Sequence, residues 1–195
     1  MPKPFIVQDY YAKAAQKEGY LARSAYKLKE ILSEFDIMRK GSRVLDIGAS
    51  PGSWLQVASE KVGKGGLVVG VDISDIQAKA KNIISLKHDI FANDTERSIA
   101  RHGLYDAVIS DAAPNTSGIK DKDQALSYEL VERSIELSEK YLKQGGCFVG
   151  KIFQGPDTRQ LVARARKIFA KVYLTKPKAS RDRSFEEYII GINKL

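Results

Sequence analysis

The sequence predicts a three-layer α/β sandwich, a mostly parallel sheet with helices on both faces. Three observations lead there. Short apolar runs alternate with stretches of helical period along the chain, the pattern of strands joined by crossover helices. The run Val44-Leu45-Asp46-Ile47 stops in a small-residue turn, Gly48 to Gly52, and reopens as a helix through Trp54, Leu55, Val57 and Ala58. Such a strand–glycine loop–helix unit places a ligand at the carboxyl end of the strand. The last two strands are joined by a link too short for a crossover, so one strand should run antiparallel. With 195 residues the chain suits one domain, 1–195, in which 1–40 form a basic helical segment.

Taken in order, the N-terminal segment carries Tyr10, Tyr11, Lys13, Lys17, Tyr20, Arg23, Tyr26, Lys27 and Lys29. Leu21, Ala25, Leu28 and Ile31 or Leu32 recur at helical spacing, so a helix runs through Arg23 to about Leu32, with Lys27 beside its apolar stripe. Taken by itself, a lone lysine there reads as a solvated charge. After the glycine loop, Leu67 to Val71 form a second strand ending in Asp72. Asp72 follows Gly52 by about twenty residues, the spacing at which an acid reaches adjacent ribose hydroxyls in nucleotide sites. A third strand, Ile83 to Asp89, again ends in an acid, and Asp89 could accept from an adenine amino group. A helix N-cap competes for each acid singly; their recurrence at successive strand ends favours the ligand.

Tyr105 to Ser110 make a fourth strand that delivers Asp111 to the edge of the sheet holding the loop. Residues 118–122 read as a polar, mobile turn. A helix then runs from about Asp123 to Lys143, with Leu126, Leu130, Leu137 and Tyr141 on one face and Gly145-Gly146 as its stop. Cys147 to Phe153 form a fifth strand with Lys151 inside the apolar run, an unusual place because a buried ammonium must be paired or neutral. A helix over 157–171 buries Leu161, Ala165, Ile168 and Val172 and turns Arg159, Arg164, Arg166, Lys167 and Lys171 outward. Lys176, Lys178, Arg181 and Arg183 extend the positive charge, broken by Asp182, and Glu186 to Ile192 close the chain as a strand.

Composition narrows the function. A net charge of +8 favours a polyanionic partner. The single cysteine, Cys147, excludes an intramolecular disulfide and suits a reducing, cytoplasmic compartment; its place in a strand makes it core filler rather than a nucleophile. His88 and His102 with one cysteine give no basis for a metal site. No run reaches the length of a membrane span and the start lacks a signal-peptide core, so no membrane partner is expected. Nothing demands more than a monomer.

The loop itself discriminates among ligands. A dinucleotide fingerprint needs glycine where Ser50 stands, which disfavours a nicotinamide oxidoreductase, and a phosphate loop needs a Lys-Ser/Thr pair that is missing. Asp46-x-Gly48-x-x-x-Gly52 instead resembles the first motif of S-adenosylmethionine methyltransferases.

Further stretches sharpen that resemblance: Arg23-Ser24-Ala25-Tyr26-Lys27-Leu28, Leu45 to Trp54, Ser110-Asp111-Ala112-Ala113-Pro114-Asn115, Lys151-Ile152-Phe153-Gln154-Gly155 and Ser184-Phe185-Glu186-Glu187-Tyr188. Over nearly its full length the chain resembles the FtsJ/RrmJ family of RNA ribose 2′-O-methyltransferases. The resemblance implies a Rossmann-like methyltransferase fold with a seven-stranded sheet, S-adenosylmethionine as cofactor and RNA as partner. It implies a catalytic tetrad Lys27, Asp111, Lys151 and Glu186, with Glu186 preferred over adjacent Glu187 because it precedes the tyrosine by two. It implies cofactor contacts from Gly52, Trp54, Asp72, Asp89 and Asp111. In that scheme Lys151 is the general base that takes the proton of a 2′-hydroxyl, Asp111 and Glu186 orient the lysines, and Lys27 positions substrate or stabilises developing alkoxide charge. The compact chain is similar to members that methylate a uridine ribose of large-subunit (23S) ribosomal RNA, free or in the assembled subunit. Family members that act on tRNA, and a non-catalytic RNA-binding ribosome assembly factor on the same fold, are the alternatives. The basic segments would hold phosphates, and Tyr10, Tyr11 or Tyr20 could stack a base.

Overall fold

A computed structural model describes residues 6–180 and 184–195, with the side chains of the first helix from Tyr10 onward; Arg181, Asp182 and Arg183 lie outside the described residues. Seven strands, β1 (Arg43–Ile47), β2 (Leu67–Asp72), β3 (Ile83–Lys87), β4 (Tyr105–Ser110), β5 (Leu142–Phe153), β6 (Phe169–Thr175) and β7 (Glu186–Lys194), form one sheet in the order β3-β2-β1-β4-β5-β7-β6. Neighbours are parallel except at β7, which runs antiparallel to both β5 and β6. The helices described are α1 (Ile6–Glu18), α2 (Ala25–Glu34), α3 (Ser53–Val62), α4 (Asn93–Ala100), α5 (Lys120–Tyr141) and α6 (Thr158–Ile168). This is the α/β methyltransferase sandwich that the sequence predicts. Strand order reverses between β1 and β4, so a crevice opens beyond the carboxyl ends of these two strands.

Each face of the sheet has its own apolar core, because parallel strands covered on both sides alternate two sets of apolar side chains. Leu45, Ile47, Val69, Val71, Val108 and Phe148 point to the side covered by α4, α5 and α6, where they meet Ile99, Ile135 and Leu161. Val44, Val68, Ala107, Ile109, Val149 and Tyr188 point to the side covered by α2 and α3, where they meet Leu28, Ile31, Trp54 and Leu55. Cys147 is buried in this second core, and burial pushes its thiol pKa up, as expected of a core residue.

Three local expectations change. The helix predicted over 157–171 ends at Ile168, and residues 169–175 are the edge strand β6. Val172 continues the helical spacing of Leu161, Ala165 and Ile168, but Phe169, Val172, Tyr173 and Thr175 are strand formers, and pairing them with β7 satisfies an edge that a helix would leave open. The helix expected from Asp123 starts at Lys120, and the turn before it is ordered: Asp123 accepts hydrogen bonds from the amides of Ser117 (2.8 Å) and Gly118 (3.2 Å). Gly145-Gly146 lie within β5 rather than ending α5; Gly145 takes φ +78° where the β4–β5 register jumps. No described helix is long and apolar enough to cross a membrane.

Candidate active site

The loop after β1 reaches the switch point because two glycines let it. Gly48 has φ +72°, and a Cβ there would lie 2.5 Å from the Ala112 Cα, so the loop touches the turn that carries Asp111. Gly52 has φ +122°, and its Cβ would meet that of Ala78 at 2.3 Å. Beyond the loop lies a cavity of ≈ 640 Å³, within the range of small-molecule sites, lined by Gly48, Ser50, Asp72, Asp89, Asp111 and Leu130 among others. Leu126 and Leu130, expected on one face of α5, are half-buried and wall this cavity, and Leu130 also packs against the core.

Three of the predicted cofactor residues border the cavity and two do not. Asp72 accepts the amides of Ser50 (2.9 Å) and Ser74 (2.7 Å), and Asp89 accepts the amide of Phe91 (2.9 Å). These bonds tie strand-end turns; neither acid caps a helix, since Ala92 is the N-cap of α4. Asp111 closes the other side of the cavity. The indole of Trp54 is instead buried behind it, with Nε1 donating to the Ser24 carbonyl (2.9 Å) and the ring stacked on Tyr188 at 5.8 Å. Gly52 also lies outside the cavity lining.

Beside the cavity, Lys27, Asp111, Lys151 and Glu186 converge from four separate segments onto the α2 side of the sheet. Lys27 (α2) meets the Glu186 Oε1 at 2.5 Å, and Lys151 (β5) meets the Asp111 Oδ1 at 3.1 Å and donates to its carbonyl at 2.6 Å. Lys27, Lys151 and Glu186 are each 7 % exposed, so the solvated-lysine reading of Lys27 fails: its ammonium is desolvated and paired. Registry explains the pairing, because Lys151 lies opposite Tyr188 in the β5–β7 ladder and Phe153 opposite Glu186. Glu187 falls on the other face, so period-two alternation selects Glu186.

Electrostatics favour an ionised Asp111. Burial pushes its pKa up, but the Lys151 and Lys27 ammonium groups and the Tyr188 hydroxyl, which donates to Oδ1 at 2.7 Å, outweigh burial and hold it below the usual carboxylate range. Tyr188 itself is driven well above its ordinary value, by burial first and then by Asp111 and Glu186, so it remains a donor. Sequence reasoning missed this tyrosine; its polar tip two positions after Glu186 in an apolar strand was the available signal. It also left Asp46 without a role. Asp46 is fully buried in β1, and neither carboxylate oxygen has a hydrogen-bond partner among the described residues.

The aromatic segment behaves differently from the expectation of a base-stacking group. Tyr11 and Tyr20 pack on Tyr26, with ring centroids 5.3 Å and 6.3 Å away, and Tyr20 donates to Glu60 at 2.7 Å. Tyr10 remains exposed. Of the basic residues predicted to point outward, Arg164 turns inward to Glu132 (3.0 Å) and Glu136 (3.5 Å), while Arg159, Arg166, Lys167 and Lys171 are exposed.

Comparison with known proteins agrees with this geometry. The chain is 44% identical over 190 residues to the "Ribosomal RNA large subunit methyltransferase E" of Syntrophobacter fumaroxidans, covering 96% of each chain. The like-named protein of Methanothrix thermoacetophila is 45% identical over 186 residues, covering 94% of this chain and 72% of the relative. Among solved structures, a putative ribosomal RNA methyltransferase of Plasmodium falciparum superposes with a TM-score of 0.79 at 29% identity, covering 90% of this chain and 99% of that one. The sequence profile of FtsJ-like methyltransferases matches residues 20–194, and the expected cofactor, S-adenosylmethionine, accords with it; the chain belongs to the FtsJ-like methyltransferase family.

Proposed function

We propose that this protein methylates a ribose 2′-hydroxyl of RNA, specifically a uridine of 23S ribosomal RNA in the large subunit, acting as a cytoplasmic monomer. The observation that carries the reading is the convergence of two buried lysine–carboxylate pairs, Lys27–Glu186 and Lys151–Asp111, at the rim of the cavity. The relatives' names support the ribosomal substrate.

The cavity residues fit S-adenosylmethionine by chemistry: Asp72 and Asp89 supply carboxylate acceptors for ribose hydroxyls and an adenine amine, between apolar walls that include Ile73 and Leu130. Gly52, whose φ of +122° lets the loop turn, and Trp54, buried behind the cavity, would shape the cofactor site rather than line it. When bound, the cofactor supplies a methyl group already activated by its sulfonium. The protein's task is then to align the 2′-hydroxyl and accept its proton. For that step Lys151 first gives up its own proton; its free amine then takes the hydroxyl proton, and the ionised Asp111 beside it stabilises the ammonium that re-forms. Tyr188 fixes the Asp111 carboxylate. Lys27, oriented by Glu186, offsets negative charge developing on the attacking oxygen.

The test uses labelled S-adenosylmethionine with unmodified large ribosomal subunits, free ribosomal RNA and tRNA. Label on a 2′-oxygen of 23S RNA supports the reading; label on tRNA moves the substrate; none on any RNA, with the cofactor bound, leaves the assembly-factor alternative. Lys151→Ala should keep the fold and cofactor affinity and lower the rate by about 10²- to 10⁴-fold. Full activity in that variant would remove the base assignment.

A further inference from the structure

We infer that Phe185, with Lys120 and Ile119, forms a platform that stacks a nucleobase adjoining the target ribose; the inference deepens the RNA-methylation reading and rests on it. Phe185 is 56% exposed and Ile119 62%, two large apolar side chains from distant segments left in water, the first next to Glu186 in the chain and the second next to Lys120. The Lys120 ammonium lies 5.2 Å from the centroid of the Phe185 ring. Packing does not require this aromatic, since neither core includes it.

Its backbone is nevertheless held firmly. The Phe185 carbonyl accepts the amide of Gln154 at 2.7 Å. The preceding Ser184 accepts Lys176 Nζ on its carbonyl at 2.8 Å and caps the Glu186 amide through its hydroxyl at 3.2 Å. Phe185 is thus a solvent-facing ring on a hydrogen-bonded backbone, one residue from a tetrad member. Adjacent residues of an extended chain project to opposite sides. Glu186 accordingly meets Lys27 on the α2 side, while Phe185 meets Lys120 at the start of α5.

That arrangement suits an unpaired RNA strand draped over the edge of the sheet, with its ribose at the tetrad and a base on the far side of the strand. Unstacked RNA bases are commonly received on aromatic side chains, and the stacking tolerates any base because every base has a π-face. Lys120 adds a cation for a phosphate of the same strand, and Ile119, next to it in the chain, offers a further exposed apolar side chain.

The experiment uses the full-length protein and a fragment of large-subunit ribosomal RNA carrying 2-aminopurine beside the target nucleotide. Wild-type protein should quench the probe on binding. Phe185→Leu should abolish the quenching and raise the KM for RNA about 5- to 150-fold, with much less effect on kcat and none on cofactor affinity. Phe185→Trp should restore both. Unchanged KM and quenching in Phe185→Leu would overturn the platform. Should the wild type bind and quench the RNA but transfer no methyl group, the platform stands and the methylation reading falls.

Discussion

Asp46 illustrates what a single residue can cost. Its carboxyl group is fully buried with no partner for either oxygen among the described residues, and burial, reinforced by Asp111 and then Asp72, pushes its pKa well above the usual range. The folded protein therefore keeps a proton that the unfolded chain releases near pH 4. The contribution of Asp46 to stability therefore falls as pH rises above about 4, by about 1.4 kcal/mol per unit, until its folded pKa is reached. Asp46→Asn should match the wild type near pH 4 and be the more stable protein at pH 7. Urea denaturation of both at several pH values checks this; parallel curves across the range would mean that folding does not shift the Asp46 carboxyl group. At this scale the sequence was most informative where residue type and burial conflict. Lys151 inside an apolar run announced itself, whereas Lys27 on a helix did not, because its burial depends on β7 docking against α2.

At the level of elements, α4 is short and is held to α5 largely by polar contacts. Glu96 binds Lys140, Arg133 Nη2 (2.9 Å) and Tyr141 Oη (3.0 Å). These bonds, that to Lys140 foremost, outweigh burial and hold the Glu96 pKa down at about 2. A depressed pKa means stability present above the unfolded value and lost as pH falls toward 2. Glu96→Gln should cost about 1 kcal/mol at pH 7, modest because water screens a partly exposed network, and clearly less at pH 2, where the group is about half protonated. Thermal melts at the two pH values measure it; an equal deficit at both would assign the loss to shape rather than charge. Helix α2 works differently. It carries Lys27 to Glu186, while Glu30, one turn on, accepts the amides of Lys178 (2.8 Å) and Ala179 (3.3 Å). One helix thus holds both the tetrad pair and the chain leading toward β7. Helical spacing located α2, but nothing local in 169–175 separated a helix end from an edge strand; the open side of β7 settled that.

For the molecule as a whole, the excess of positive charge is the property that concerns RNA. Arg166 and Lys167 are exposed in the last turn of α6 and free to meet phosphates in the way that a net charge of +8 suggests. Replacing both with glutamate should weaken RNA binding across sequences and flatten the dependence of log K on log salt, with cofactor affinity unchanged. Binding titrations at several salt concentrations read this out, and an unaltered slope would place the RNA elsewhere. By itself the sequence determined the fold class, the strand–loop–helix unit and the acids at strand ends, because periodicity, glycine placement and residue chemistry are local properties; Lys27, Asp111, Lys151 and Glu186 came as candidates from the resemblance to a family. Only the tertiary structure decided that Lys27 is desolvated, that Tyr188 binds Asp111, that Trp54 supports the site from behind, and that Phe185 faces solvent beside it. Each of those depends on which strands become neighbours and in what register, and those pairings join residues far apart in the chain.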